Sequence, residues 1–341
     1  MKKGLLLFSG GLDSLVVALL FKAHGIPFEG VYFDVPYFSD IHKVRKLAMI
    51  HDIPLHVIDF WNDMQKILRK PRWGYGRAIN PCADCHFEMI KKALAMRHLL
   101  GADYVVTGEV LGERPMSQRR EILDDHLAVL GEDADYLLRP LSAKLLPPSK
   151  PVREQWVPEE ILLDFKGRNR THIIELAEKL GAKVIPTPAG GCLLTEHVYA
   201  RRLCLLLSIM DDYVPRDWVY MLKIGRHFIK DDGRHWLVIA RNRDESIELK
   251  DIYPRCGIPF EGVKTGPFAV YYSFGDEEET PENLASYVSY FSSKLRREGE
   301  AEYRYGENNN VVKVIPRDPK EDGWISLSED KIMCPLKGRL I

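Results

Sequence analysis

Residues 9–14, Ser-Gly-Gly-Leu-Asp-Ser, constrain the fold of this chain more than any other segment. They follow the short apolar run 4–8 and precede residues 14–23, whose apolar positions recur at helical spacing. A glycine-rich turn between a strand and a helix presents successive backbone N–H groups and the positive end of the helix dipole at one point. The segment therefore predicts an α/β domain that opens on an anion-binding loop.

The first 210 residues alternate between strand-like and helix-like patterns. Apolar runs at 30–35, 55–60 and 103–107 predict strands, as does a strand-like run at 183–185. Amphipathic periodicity predicts helices over 41–51, 87–100 and 171–180. Strands separated by helices favour a parallel sheet, so we expect a Rossmann-like α/β domain over residues 1–210.

The remaining sequence has a different texture. Strand-like runs at 221–228, 235–240, 268–274 and 311–315 are separated by Pro, Gly and Asn, with one helix expected over 281–297. Asp231, Asp232 and Gly233 form a hairpin signal between the first two runs. We expect a second, smaller mixed β-rich domain over residues 215–341.

Charge, cysteine content and hydropathy limit the classes of protein. Lys and Arg number 48 against 49 Asp and Glu, so no global positive field attracts a polyanion. Six cysteines in 341 residues are too few for a disulfide scaffold and indicate a reducing compartment. The apolar stretch 5–8 is too short for a signal peptide, and no run reaches the ~18 apolar residues of a membrane span. We expect a cytoplasmic protein without a membrane partner.

The side chains of the glycine turn indicate its ligand. Gly10 and Gly11 allow the backbone to approach an anion closely. Serine hydroxyls add donors, whereas the Asp13 carboxylate does not favour bare phosphate and suits a neighbouring Mg²⁺. Neither a Walker A lysine nor a G-x-G-x-x-G pattern is present, and an ordinary capped turn is the plain alternative. The expected nucleotide-binding residues are Ser9, Gly10, Gly11, Asp13 and Ser14.

The hexapeptide resembles the PP-loop of the ATP-pyrophosphatase superfamily, which has an adenine nucleotide alpha hydrolase-like fold. Segments 107–109, 111–112, 117–118 and 139–141 resemble parts of the tRNA 4-thiouridine synthetases. The resemblance implies that ATP adenylates a carbonyl or carboxyl oxygen with release of pyrophosphate. It also implies that Phe33 lies near adenine and that Thr107 and Gly108 line the nucleotide pocket.

The chain also departs from better-known members of that group. No THUMP-like segment precedes Lys2, and nothing near the C-terminus resembles a rhodanese domain with a persulfide cysteine. Residues 222–228 and 238–242 instead resemble an NFACT-type RNA-binding domain. That resemblance implies RNA docking by the second domain, with a plain structural β-domain as the alternative.

Three cysteines form the second candidate site. Cys82 and Cys85 precede the helix expected at residue 87, and Cys192 follows the Gly-rich turn 188–191. A c-type haem, a thioredoxin-like dithiol and a zinc site completed by His86 are possible from the spacing. A 4Fe-4S cluster on three thiolates leaves one iron open for sulfide. The accompanying PP-loop favours the cluster, because archaeal 4-thiouridine enzymes and several 2-thiouridine synthases resemble the chain in this pairing. Cys204, Cys256 and Cys334 are expected to be buried or incidental thiols.

Together these features predict ATP-dependent thiolation of a tRNA uridine. Adenylation of a uridine carbonyl, assisted by Asp13, would be followed by sulfur transfer at Cys82, Cys85 and Cys192, from cluster-bound sulfide or from a cysteine persulfide. Sulfide or a persulfide carrier would donate the sulfur. The alternatives are a PP-loop amide or C–N ligase with structural Zn²⁺ and a non-enzymatic RNA-binding adaptor.

A basic stretch before Cys82 is the expected RNA contact. Five cations and no acid lie between Gln65 and Cys82, interleaved with Trp73 and Tyr75. Cations bind phosphates, and aromatic rings stack on unpaired bases. A second, weaker patch comprises Lys166, Arg168 and Arg170. The predicted RNA-binding residues are Lys66, Arg69, Lys70, Arg72 and Arg77.

Overall fold

Strands and helices alternate along the first of two units into which the chain divides. In this computed structural model, which describes residues 1–37, 41–186, 192–276 and 278–340, the first unit comprises Met1–Gly76 and Asn80–Cys192. Its elements in chain order are β1 (Gly4–Leu7), α1 (Leu12–Ala23), β2 (Phe28–Asp34), α2 (Ile41–Ile50), β3 (Leu55–Asp59), α3 (Trp61–Arg69), α4 (Cys82–Met96), β4 (Tyr104–Val106), α5 (Arg120–Leu130), β5 (Leu137–Leu138), α6 (Lys150–Arg153) and α7 (Thr171–Lys179).

The sheet of this unit is parallel, with strand order β3-β2-β1-β4-β5. Leu6 of β1 is paired with Gly30 of β2 on one side and Val106 of β4 on the other. The central strand is buried, which explains its continuous apolar run. The strand order reverses between β1 and β4, and ligands of open α/β sheets bind at the carboxyl ends of strands at such a reversal. The predicted Rossmann-like fold is confirmed.

Two sequence expectations in this unit were wrong. Helix α4 begins at Cys82, five residues before the expected start, so Cys82 and Cys85 occupy its first turn. Residues 183–185 form no strand; the position beside β4 belongs to Leu137–Leu138, which pair with Val105 and Val106. A run of three residues is too short for a pattern that distinguishes a sheet strand from a packed loop.

The second unit comprises Arg77–Ile79 and Leu193–Ile341. It contains a seven-stranded antiparallel sheet of order β11-β10-β8-β9-β7-β6-β12 and a separate pair, β13-β14. Its elements are α8 (His197–Ile209), α9 (Arg216–Met221), β6 (Arg226–Lys230), β7 (His235–Ile239), α10 (Arg243–Ile252), β8 (Ile258–Gly262), β9 (Ala269–Ser273), α11 (Pro281–Tyr290), α12 (Ser293–Glu298), β10 (Ala301–Tyr305), β11 (Asn310–Val314), β12 (Ile325–Ser326), β13 (Met333–Cys334) and β14 (Arg339–Leu340).

The β-rich character and the β6-β7 hairpin of this unit are as predicted. The run expected as one strand over 221–228 instead begins in α9 and enters the sheet only at Arg226. The helix expected over 281–297 is interrupted, because the Ser292 side chain caps a new helix by accepting from the Leu295 N–H. Contacts divide the units at residue 192, so α8 lies in the second unit, where Arg202 bonds to Leu222 O at 2.6 Å.

In the described part of the chain, no helix combines the length and apolar character needed to cross a membrane.

Candidate active site

The turn at residues 9–14 is shaped for an anion by its own hydrogen bonds. Gly10 has a φ of 75°, which an L side chain rarely adopts, and α1 starts two residues later. The Ser9 hydroxyl accepts from the Gly11 N–H at 3.3 Å, and the Ser14 hydroxyl donates to Gly11 O at 3.0 Å. These contacts fix the loop at the helix N-terminus, where N–H groups have no partner within the helix.

The end of β4 lies directly against this turn. A Cβ on Gly108 would lie 2.8 Å from both Asp13 C and Ser14 N, so only glycine permits the approach. The neighbouring Thr107 is buried, and its hydroxyl donates to Glu109 Oε2 at 3.2 Å. Two segments that the sequence assigned to one pocket, near residues 13 and 108, are therefore adjacent.

Phe33 ends β2 in a packed environment. Its side chain is buried, and its ring centroid lies 5.2 Å from that of Phe60. Core packing alone accounts for this placement, and the adenine contact stays a prediction.

Asp13 has two neighbours that sequence analysis missed. Arg170 Nη2 lies 3.8 Å from Asp13 Oδ2 and 2.5 Å from Glu113 Oε1. Burial, reinforced by the negative charge of Glu113, raises the pKa of Asp13 to about 6. Arg170 was assigned to a weak RNA patch because its neighbours are basic, but the structure directs it toward two carboxylates. The sequence signal that could have drawn attention to Glu113 is the preceding Leu-Gly pair at 111–112, which resembles a segment of the 4-thiouridine synthetases.

Cys82 is held as a reactive thiol in the first turn of α4. Its Sγ lies 3.3 Å from Ser117 Oγ, and it shares a hydrogen bond with His86. Burial raises the pKa of this thiol, but the hydrogen bond and positive charge of His86 outweigh burial and lower the pKa to about 7. The first turn of a helix also favours a thiolate.

A buried chain of alternating charges continues from Cys82. His86 Nδ1 lies 3.2 Å from Glu109 Oε1, and Arg139 Nε donates to Glu109 Oε2 at 2.7 Å. Burial opposes the charged form of His86, yet its bonds to Cys82 and Glu109 raise its pKa to about 9. Burial likewise opposes the Glu109 carboxylate, but Arg139 and His86 hold the pKa well below its usual range. The opposite shifts of the Cys82 and His86 pKa values both favour a thiolate–imidazolium pair.

Of the other two thiols of the predicted trio, Cys85 lies in the first turn of α4 with Cys82, and Cys192 acts electrostatically on Cys85. Cys85 is buried, and its pKa is raised, first by burial and then by the charges of Cys82 and Cys192. Cys192 therefore lies within electrostatic reach of Cys85. The turn at 188–191 that was expected to position Cys192 lies outside the described residues.

No group of three or more His, Cys, Asp or Glu side chains within the described ranges is arranged to hold a metal ion.

Two of the remaining cysteines, Cys204 and Cys334, are buried as the sequence suggests but are not thiols. Cys204 of α8 and Cys334 of β13 form a disulfide across 130 residues, whereas both were expected to be unpaired thiols. Nothing in the sequence indicates this pairing, because only the tertiary fold brings the two cysteines together. Cys256 is free and exposed, as expected of an incidental thiol.

The thiols and the nucleotide turn are neighbours within the first unit. Gly108 touches the turn, and the next residue, Glu109, contacts His86 beside Cys82. In addition to burial and nearer groups, the charge of Arg114 lowers the pKa of both Asp13 and Cys82. One exposed cation thus acts on both sites.

The predicted RNA-binding stretch is divided by the fold. Lys66, Lys70 and Arg72 are exposed in the first unit, Arg69 is half-buried at the end of α3, and Arg77 is exposed in the second unit.

The aromatic residues of this stretch have structural contacts. The Trp73 ring packs 5.1 Å from Phe87 and 4.9 Å from His126, and Tyr75 donates to Leu68 O. Their roles in packing explain them without RNA.

Comparison with known proteins identifies the superfamily. Residues 1–141 match the family described as "Thiamine biosynthesis protein (ThiI)". The chain is 36% identical over 233 residues to the tRNA-specific 2-thiouridylase MnmA of Sulfurimonas denitrificans, covering 66% of this chain and 60% of that protein. The chain is a PP-loop protein of the ATP-pyrophosphatase superfamily that resembles tRNA-thiolating enzymes. Its PP-loop is the turn at residues 9–14.

Other similar proteins match different shares of this chain. MnmA 2 of Clostridium botulinum is 24% identical over 345 residues, covering 93% of this chain and 88% of the relative. A 4-thiouridine synthetase solved as an RNA complex with bound ATP is 21% identical, covers 53% of this chain and 41% of its own, and has a TM-score of 0.37. The chain spans about 60% of the length of the Sulfurimonas relative.

Proposed function

We propose that this protein uses ATP to thiolate a uridine of tRNA. The observation that carries the proposal is the Cys82 thiolate, which is linked through His86 and Glu109 to the segment that touches the PP-loop. Such an arrangement brings a sulfur nucleophile next to a nucleotide site. The relatives named as tRNA-specific 2-thiouridylases support the same reaction.

Activation of the uridine would occur at the PP-loop. A carbonyl oxygen of the base attacks the α-phosphorus of ATP, and pyrophosphate leaves. The N–H groups at the start of α1 stabilise the charge that develops on the phosphate oxygens. Mg²⁺, bound near Asp13, would neutralise the triphosphate.

Sulfur transfer would use two of the three thiols. The outer sulfur of a cysteine persulfide attacks the activated carbon, and AMP leaves with its electron pair. A second cysteine, as thiolate, then attacks the inner sulfur, which releases the thiocarbonyl and leaves a protein disulfide. Cys82 suits the second role because its pKa is lowered to about 7 by His86 despite burial. An external persulfide carrier transfers its outer sulfur to the first cysteine and leaves as a thiol, and a thiol reductant then reduces the protein disulfide.

A 4Fe-4S cluster on Cys82, Cys85 and Cys192 is the other source of sulfur predicted from the sequence. The electrostatic influence of Cys82 and Cys192 on Cys85 favours it, but the described side chains do not form a metal-binding group, so we derive no step through a cluster. Anaerobic purification followed by iron and acid-labile sulfide analysis separates the routes. Stoichiometric iron and sulfide support the cluster, whereas a persulfide on cysteine with no iron supports the two-thiol route.

The proposed activity is tested with the Asp13→Ala and Cys82→Ser variants. Asp13→Ala should abolish tRNA-dependent pyrophosphate release, because the metal-nucleotide site is lost. Cys82→Ser should retain pyrophosphate release and lose thiouridine formation, measured by nucleoside mass spectrometry. Cys256→Ser is the matched control, since this thiol is exposed and belongs to the second unit. Thiolation retained in Cys82→Ser would refute the role of that cysteine.

Transfer RNA is the proposed partner, and the exposed cations of the basic stretch are its proposed contacts. Lys66→Glu with Lys70→Glu should weaken tRNA binding and reduce its salt dependence, because each removes a phosphate contact. Lys43→Glu, at an exposed position on α2, is the control. Equal affinities of the two variants would exclude this surface. We also propose a cytoplasmic location, in keeping with the tRNA substrate.

A further inference from the structure

Two carboxylates converge beside the PP-loop from separate parts of the chain. Asp13 lies in the first turn of α1, and Glu113 lies in the segment that follows β4. Their side chains are 14% and 5% exposed. Arg170 lies between them, with Nη2 2.5 Å from Glu113 Oε1 and 3.8 Å from Asp13 Oδ2. The arrangement concentrates two negative charges around one position.

Arg170 approaches only one oxygen of each carboxylate. Asp13 Oδ1 and Glu113 Oε2 are buried, and neither accepts a hydrogen bond from the residues that the structure describes. A buried carboxylate oxygen without a partner is costly, so such oxygens are usually ligands or hydrogen-bond acceptors. Arg170, with a side chain 27% exposed, is the more accessible member of the cluster.

The chemistry of the free oxygens suits Mg²⁺ bound to a nucleotide. Magnesium in phosphate-transferring sites takes one or two carboxylates and completes its shell with phosphate oxygens and water. Two carboxylates at the N-terminus of α1, where phosphate is expected, meet that requirement. A third protein ligand is unnecessary, which agrees with the lack of larger ligand groups among the described residues.

We propose that Glu113 is the second carboxylate ligand, with Asp13, of the Mg²⁺ that accompanies ATP. Arg170 then changes partner, giving up the carboxylates to the metal and donating to the triphosphate. The inference rests on the proposed use of ATP but not on tRNA thiolation.

The test compares metal-dependent and metal-independent nucleotide binding. Mn²⁺ replaces Mg²⁺, and protein-bound Mn²⁺ is measured by electron paramagnetic resonance with a non-hydrolysable ATP analogue and no tRNA. Glu113→Gln should weaken Mn²⁺ binding in this ternary complex at least about tenfold, because a charged ligand is replaced by a neutral one. Binding of the analogue in EDTA, followed by calorimetry, should change less than about twofold.

Three further variants distinguish a metal ligand at position 113 from a residue that only forms an ion pair with Arg170. Glu121→Gln, exposed on α5, should match the unmodified protein in both measurements. Arg170→Met should weaken analogue binding with and without metal, because it removes a phosphate contact. Circular dichroism checks that each variant is folded. Glu113→Asp keeps the negative charge and should therefore retain part of the Mn²⁺ affinity that Glu113→Gln loses.

Two results would overturn the inference. One is unchanged Mn²⁺ affinity in Glu113→Gln, and the other is an equal loss of analogue binding with and without metal, which indicates a role only in holding Arg170. The readouts do not involve tRNA. A protein that binds Mn²⁺ and the analogue as expected but forms no thiouridine therefore supports the metal site while removing the proposed function.

Discussion

The thiol site and the PP-loop site are both built from alternating charges, but they complete their pairing differently. At the thiol site, Cys82, His86, Glu109 and Arg139 form a continuous chain in which each charged group meets one of opposite sign. At the PP-loop, Arg170 faces two carboxylates and leaves an oxygen of each without a partner. Both carboxylate oxygens of Glu109 are paired, although Arg139 Nη2 is buried without a partner among the described residues, whereas each carboxylate beside the PP-loop has an unpaired oxygen.

The difference matches the chemistry expected of each site. A sulfur nucleophile needs a stable thiolate, which the protein provides by fixing an imidazolium beside it. ATP binds together with a Mg²⁺ ion, and carboxylates whose oxygens were all paired could not coordinate that ion. Internal pairing therefore contributes to stability at the thiol site, whereas incomplete pairing at the PP-loop preserves binding capacity.

The largest expected effect is the difference in stability loss between replacing Arg139 and replacing Arg170. Arg139→Met leaves the Glu109 carboxylate buried without its main counter-charge, and we expect it to lower the free energy of unfolding by about 3–5 kcal/mol. Arg170→Met should cost only about 1–2 kcal/mol, because the Arg170 side chain is 27% exposed whereas that of Arg139 is 4% exposed. Urea denaturation at pH 7.5 measures both. Equal losses would contradict the comparison.

The next effect concerns the contact between the sites. Gly108→Ala places a methyl group 2.8 Å from the backbone of Asp13 and Ser14, where neither neighbour is a flexible side chain. We expect a loss of about 1–3 kcal/mol in unfolding free energy and weaker binding of ATP. Gly275→Ala is the control, because its new methyl group would meet only the Arg234 side chain, at 3.5 Å or more. A stable variant with normal nucleotide affinity would show that the loop has room to move.

The reactivity of Cys82 sharpens the description of the thiol site. Its rate of alkylation by iodoacetamide should rise with pH around a midpoint of about 7, because only the thiolate reacts. Glu109→Gln removes the charge that favours the imidazolium, so the pKa of Cys82 should rise and the rate at pH 7 should fall about tenfold.

Peptide mass spectrometry measures the rate at each cysteine. Cys256 should be unaffected, and His86→Gln should reproduce the Glu109→Gln result. Unchanged Cys82 alkylation in both variants would show that the charge chain does not control the thiol.

The last prediction concerns His126, the uncharged neighbour of the thiol site. Burial lowers its pKa to about 4, and neither ring nitrogen has a hydrogen-bond partner among the described residues. The unfolded chain binds a proton near pH 6.5 that the folded protein does not, so stability should fall as the pH decreases from 6.5 toward 4. The contribution is at most about 1.4 kcal/mol per pH unit. His126→Phe should flatten this part of the pH profile of urea midpoints; an unchanged slope would assign it to other groups.

Local sequence predicted the elements that depend on local patterns. The strand, turn and helix at residues 4–23 were recognisable because apolar periodicity and paired glycines act over a few residues. The start of α4 was missed, since Cys-Ala-Asp-Cys-His carries no helix-start signal, and Asp84 is buried where it accepts the N–H groups of Arg72 and Trp73. No side chain caps this helix, and the Asp84 carboxylate instead binds the preceding loop, a tertiary contact that the local sequence does not show.

Long-range partners were beyond sequence reasoning for the same reason. Arg170 was grouped with Lys166 and Arg168 by proximity along the chain, but its carboxylate partner is 57 residues away. The disulfide between Cys204 and Cys334 likewise joins residues separated by 130 positions. Neither pairing leaves a periodic or compositional trace.

The sequence by itself determined the parallel α/β architecture, the anion-binding turn and the identity of the three thiols, because backbone geometry and hydrophobic periodicity are encoded over short stretches. Only the tertiary structure decided the charge state of those groups. Whether Cys82 is a thiolate, and whether Asp13 meets a second carboxylate, depends on burial and on charges a few ångströms away that come from distant positions in the chain.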